Sequence, residues 1–156
     1  MGFLRLSSFL FSTLGFKFQK QGESHFNVRM ENTASKTILL IEDEEYVCQI
    51  VQTSLEVFSN WQIATARSGK EGLAASATVK PDAIVLDIMM PNMDGFDVLK
   101  ELQADQQLAN IPVVLLTSRI DLTEPQEISR LGVKGTIAKP FYVLSLVNQI
   151  SNLLGW

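Results

Sequence analysis

Four short stretches of this chain carry side chains suited to phosphate chemistry. They are the acidic run Glu42-Asp43-Glu44-Glu45, the single Asp87 that closes an apolar run, the pair Thr117-Ser118, and Lys139-Pro140. Carboxylates gathered in one crevice raise one another's pKa unless a cation intervenes. A divalent ion is the simplest remedy. Carboxylate oxygens completed by waters and a backbone carbonyl suit Mg²⁺, which prefers octahedral oxygen coordination. Glu42 and Asp43 beside Asp87, balanced by Mg²⁺ and Lys139, make a site that admits a phosphoryl group without net repulsion. Asp87 is then the nucleophile, able to take the group as an aspartyl phosphate, while Thr117 offers a hydroxyl and Lys139 a second positive charge.

Such a site requires elements distant in sequence to end at one edge, and the hydrophobic pattern supplies them. Apolar runs predict strands over 37–41, 61–66, 83–86, 112–116 and 135–138. Helical spacing fills the intervals, over 47–58, 69–77, 96–104, 124–131 and 143–154. These are five strand-helix units. The strands read as unbroken apolar runs, as in a parallel sheet with helices on both faces. Right-handed crossovers leave few topologies, and the expected fold is α/β, a doubly wound five-stranded parallel sheet in the flavodoxin-like order 2-1-3-4-5. Ligands in such sheets bind beyond the carboxyl ends of the strands, at the switch between the first and third. The first strand runs into Glu42, the third into Asp87, the fourth into Thr117 and the fifth into Lys139. All four lie on that edge.

Each residue alone has an ordinary explanation. Acids favour a helix start, and Asn92 to Gly95 reads as turn chemistry. Thr117-Ser118 can cap a following segment, and a lysine before a helix-opening proline is unremarkable as structure. Their arrival together on one edge is what argues for a site.

With these residues in place, the chain from 37 to about 154 resembles the receiver domains of two-component response regulators, of the stand-alone chemotaxis type. The matching text is Ile38 to Glu44, Leu86-Asp87-Ile88-Met89-Met90-Pro91-Asn92-Met93-Asp94-Gly95, Leu116-Thr117-Ser118 and Lys139-Pro140-Phe141. The resemblance implies that Asp87 is the phosphoacceptor, Glu42 and Asp43 the acidic metal pair, Met89 a backbone-carbonyl metal ligand, Thr117 the switch hydroxyl and Lys139 the phosphate-sensing lysine. It implies Mg²⁺ as cofactor, a histidine kinase or histidine phosphotransfer protein as donor, a downstream protein target, and a cis peptide before Pro140. It also implies an acceptor of phosphoryl groups rather than an enzyme. One departure bears on mechanism: where such domains often carry Tyr or Phe, three residues before the lysine, this chain has Thr136.

Composition bounds the rest. With 156 residues, 46% of them hydrophobic, the chain supports one globular domain and excludes collagen-like and wholly disordered classes. A net charge of -4 offers no general basic field, so direct nucleic-acid binding is not expected. A lone Cys48 cannot form an internal disulfide, which points to a reducing compartment and hence the cytoplasm. Packing is its expected role, and His25, Trp61 and Trp156 are read as incidental to function. Because the last helix closes the pattern, output is expected through partner binding.

Residues 1–29 differ in kind. They carry Arg5, Lys17, Lys20 and Arg29 against Glu23 alone, and hold six of the nine phenylalanines. The Phe9 to Phe16 stretch resembles a signal peptide but is diluted by Ser12 and Thr13 and followed by no small-residue cleavage site. It is too short for a membrane span, though a peripheral amphipathic anchor fits its composition. The preferred reading places a natural start at Met30 and treats 1–35 as an extension without a fold of its own, ahead of a domain over 36–156.

Three rival functions share parts of this pattern. A flavodoxin-like FMN carrier needs Ser, Thr and Gly donors after the first strand, where this chain places four acids. A phosphatase with an aspartyl nucleophile needs a second carboxylate close behind Asp87, where Ile88 and Met89 stand. A pseudo-receiver that docks partners independently of phosphate is the third, and Thr136 is what speaks for it.

Overall fold

The computed structural model of the chain describes residues 16–18, 28–30 and 35–156. The chain separates into two units, Met1–Ser35 and Lys36–Trp156. In the first, strand β1 (Phe16–Phe18) pairs antiparallel with β2 (Val28–Met30), Phe16 opposite Met30 and Phe18 opposite Val28. Of the segment expected to be an extension without a fold of its own, these two short strands are the part that the described residues show. Phe-Lys-Phe and Val-Arg-Met each alternate apolar and basic residues with period two, a pattern that favours strands whatever the surrounding composition. The remainder of that expectation, with the Phe9 stretch and His25, lies outside the described residues.

The second unit holds a parallel sheet of β3 (Thr37–Ile41), β4 (Gln62–Ala66), β5 (Ala83–Asp87), β6 (Val113–Thr117) and β7 (Gly135–Ala138). Their spatial order is β4-β3-β5-β6-β7, which counted within the sheet is 2-1-3-4-5 as expected. Helices α1 (Glu45–Phe58), α2 (Gly69–Val79), α3 (Gly95–Ala104), α4 (Pro125–Leu131) and α5 (Leu146–Leu154) follow the strands in turn. The last is shorter than its periodicity predicts, because Val143–Ser145 forms a separate 3-10 turn before it.

Alternation within the strands splits the core in two. Ile38, Leu40, Val85, Val114 and Leu116 face one way and pack with Val51 and Leu55 of α1 and Leu146 and Ile150 of α5. Leu39, Ile41, Ile84, Leu86 and Leu115 face the other and pack with Val98, Leu99 and Leu102 of α3 and Leu131 of α4. Every residue of β5 and β6 is buried, as unbroken apolar runs imply, whereas edge strand β4 is largely half-exposed because only β3 pairs with it. Cys48 is a buried free thiol in the α1 face of the core.

At the amino edge of the sheet the domain closes on itself. Trp61, just before β4, meets Trp156, just after α5, edge to face with ring centroids 5.4 Å apart. The Lys36 ammonium sits 5.2 Å from the Trp156 ring centroid and 3.7 Å from Asp82.

Candidate functional site

The carboxyl edge carries the residues singled out from the sequence. Adjacent β3 and β5 bring Glu42, just after β3, and Asp87, the last residue of β5, to one edge, so the strand order places these carboxylates side by side. Oxygens of Glu42, Asp43 and Asp87 all lie within 4.8 Å of one another. Glu42 and Asp87 are buried and Asp43 is half-buried. From the far side of β6, Lys139 reaches back with its Nζ 2.7 Å from Glu42 Oε2 and 3.1 Å from Asp87 Oδ1. The Lys139-Pro140 peptide is cis, and the Lys139 backbone N–H donates to the carbonyl of Thr117 at 2.8 Å.

Asp87 is held on one oxygen. Its Oδ1 accepts from Lys139 and from the Met89 N–H at 3.3 Å, so Oδ2 is the oxygen that neither engages. Met89 therefore lies beside the cluster through its backbone while its side chain is exposed. The turn after Asp87 is closely fitted. Asn92 takes a positive φ of 65°, and Asp94 opens α3 with a reciprocal capping box through Asp97. Gly95 then runs so near β5 that a Cβ there would lie 2.5 Å from the Asp87 carbonyl, which leaves no room for a side chain.

Thr117 is fully buried, and its Oγ1 accepts from the Arg119 N–H at 2.9 Å. The hydroxyl hydrogen is thus the part it can still donate. Thr136, half-buried on β7 opposite Leu115, brings no aromatic ring to this side of the sheet.

The electrostatics follow from burial. Desolvation pushes the Glu42 carboxyl above its ordinary 4.5, and the Asp87 charge adds to that push, while the Lys139 hydrogen bond only partly opposes it. Burial also works against the Lys139 charge, but the Glu42 hydrogen bond and the two carboxylates outweigh it and hold the ammonium above its ordinary value. Three carboxylates with a single interior cation form a donor set short of positive charge and made of hard oxygens. That chemistry fits Mg²⁺, with Glu42, Asp43 and Asp87 as the residues that would hold it.

One residue of the site was missed by sequence reasoning. Arg67, in the turn after β4, donates from Nη2 to the backbone carbonyl of Asp43 at 2.6 Å. Its signal was present: in a 2-1-3 order the turn after the second strand adjoins the acidic run after the first.

Comparison with known proteins matches this arrangement to one family. The response regulator receiver domain model covers residues 38–151. The hybrid signal transduction histidine kinase D of Dictyostelium discoideum is 33% identical over 133 residues, which is 85% of this chain and 8% of that protein. The alkaline phosphatase synthesis transcriptional regulatory protein PhoP of Bacillus subtilis is 37% identical over 107 residues, 69% of this chain and 43% of that one. This chain thus spans less than half the length of either curated relative. Among solved structures, the chemotaxis response regulator CheY4 of Vibrio cholerae superposes with a TM-score of 0.70 at 27% identity, over 77% of this chain and 99% of that one. The N-terminal domain of a response regulator receiver protein from Methanoculleus marisnigri gives 0.62 at 32% identity, over 78% and 98%. Among the described residues no helix is long and apolar enough to cross a membrane.

Proposed function

Because the chain belongs to the response regulator receiver domain family, we propose that it accepts a phosphoryl group on Asp87 in a Mg²⁺-dependent reaction and thereby switches its affinity for a protein partner. The observation that carries this reading is the buried Asp87 carboxylate, ion-paired to Lys139 on one oxygen and clustered with Glu42 and Asp43 at the switch point of the sheet.

The donor is a phosphohistidine of a kinase or phosphotransfer protein. An Asp87 oxygen attacks phosphorus, the O–P bond forms as the P–N bond breaks, and the electron pair leaves with the imidazole. Little covalent work is left to the protein beyond placing these groups and meeting the charge on the equatorial oxygens. The Glu42, Asp43 and Asp87 carboxylates with the Met89 carbonyl would hold Mg²⁺, which would supply part of that charge. Lys139 supplies the rest by transferring its ammonium from the Asp87 carboxylate to the phosphoryl oxygens. Thr117 donates its hydroxyl hydrogen to the same group, and this movement drags on Arg119, whose N–H the same oxygen accepts.

With Thr136 in place of an aromatic ring, the signal passes through the backbone of β6 and β7 instead. The Lys139 N–H to Thr117 carbonyl bond links those two strands at the site itself. Output is read on the surface of α4, β7 and α5, where Tyr142 and Leu144 are exposed beside the last helix. On this reading the chain is a phosphoryl acceptor and not a turnover catalyst.

Intact-mass spectrometry tests the assignment. With acetyl phosphate and Mg²⁺ the wild-type chain gains one adduct of about 80 Da, and Asp87→Asn gains none. An adduct of equal yield on the variant moves the acceptor elsewhere. No adduct on wild type favours a docking module that works without phosphate.

A further inference from the structure

Among the described residues, Arg67 is the one cation besides Lys139 that a hydrogen bond ties to the acidic cluster, and it does so from outside. Its guanidinium is exposed and touches no carboxylate of the cluster; it holds the main chain of Asp43. The segment it holds has little other support. Glu44 is the N-cap of α1 but makes no side-chain capping bond, and its own N–H donates to Glu42 Oε1 at a long 3.2 Å.

By contrast, Arg67 itself is well fixed. Its backbone N–H donates to Glu71 Oε2 at 2.8 Å, and Ser68 caps α2 by accepting from the Glu71 N–H. One residue earlier, the Ala66 carbonyl accepts from the Glu42 N–H at 3.1 Å, extending the β3-β4 ladder one rung past its last paired residues. The Arg67 to Asp43 bond is then a further rung made by a side chain, carrying the order of β4 into the loop that bears Asp43.

We propose that Arg67 is a positioning residue for the divalent cation: by holding the Asp43 carbonyl it sets the Asp43 carboxylate against those of Glu42 and Asp87. The proposal rests on the phosphoacceptor reading above. Two effects of an arginine here have opposite signs. Its clamp favours metal binding by fixing a ligand in advance, whereas its positive charge near the site opposes a cation. The clamp prevails, because the charge is exposed to water and screened, while the hydrogen bond is short and local.

The experiment uses the full 156-residue chain and measures Mg²⁺ affinity by calorimetry, alongside phosphorylation by acetyl phosphate across a Mg²⁺ series. Arg67→Ala weakens Mg²⁺ binding about tenfold, the low end of the range for residues that orient metal ligands. It raises the Mg²⁺ needed for half-maximal phosphorylation by the same factor and leaves the rate at saturating Mg²⁺ within about twofold of wild type. Arg67→Lys, which keeps the charge and a donor, recovers part of the loss. Circular dichroism checks that both variants fold. Unchanged or tighter binding by a folded Arg67→Ala variant overturns the clamp and leaves the phosphoacceptor reading standing. Absence of Mg²⁺ binding by wild type overturns both.

Discussion

The two edges of one sheet carry similar residues in opposite circumstances. At the amino edge, Lys36 and Asp82 lie 3.7 Å apart with side chains 43% and 41% exposed. At the carboxyl edge, Lys139 lies 2.7 Å from Glu42 and 3.1 Å from Asp87, and the side chains are 21%, 1% and 4% exposed. Water makes the first pair inexpensive to keep and of little energetic consequence. The second group is shut away from water with more carboxylate than ammonium, an arrangement that is unfavourable for stability alone. The lesson is that a lysine-carboxylate pair says little by its chemistry and a great deal by its burial and imbalance. On the proposed function, the edge with the excess charge is the one that has a use for a cation and a phosphoryl group.

The sharpest way to break this comparison is to remove the lysine from each edge. Lys139→Ala leaves Glu42 and Asp87 buried without their cationic partner and lowers stability by about 3–5 kcal/mol in metal-free buffer, read by urea denaturation. Added Mg²⁺ restores part of that loss. If the variant is as stable as wild type without metal, the carboxyl edge is no more demanding than the amino edge and the contrast fails.

A smaller effect comes from pH. The raised pKa of Glu42 means that the folded chain holds this proton more tightly than the unfolded one. Its favourable contribution is therefore present below the ordinary value of 4.5 and is lost as pH rises through the elevated folded value. Without metal, Glu42→Gln should gain stability relative to wild type as pH climbs from about 4 to about 7. A gap that stays flat across that range shows that burial does not govern this carboxylate.

The smallest change is expected at the other edge. Lys36→Ala should alter stability by about 1 kcal/mol or less, since both partners are more than a third exposed. A cost comparable to that of Lys139→Ala contradicts the comparison from the opposite side.

Much of this was legible in the sequence because it depends on short-range pattern. Continuous apolar runs at Ile38 to Ile41 and Ala83 to Leu86 identify central strands, and polar residues directly after them must fall at one edge once the sheet is parallel. That reasoning placed Glu42, Asp43, Asp87, Thr117 and Lys139 on the edge where the structure has them. What escaped depends on neighbours brought together by strand order and docking rather than by spacing along the chain. Arg67 reaches a backbone carbonyl 24 residues away. The β1-β2 ribbon was masked by a composition that read as an appendage. Trp61 and Trp156 were dismissed one at a time, yet each finds its partner in the other.

That indole pair has an optical consequence. The chain has two tryptophans, and both stand at the amino edge with their rings in contact range. Coupled chromophores of this kind give near-ultraviolet circular dichroism and shared emission that depend on α5 staying docked beside the start of β4. Every photon collected from tryptophan therefore reports on the docking of that final helix. The edge where phosphoryl transfer is proposed has no indole of its own and stays dark.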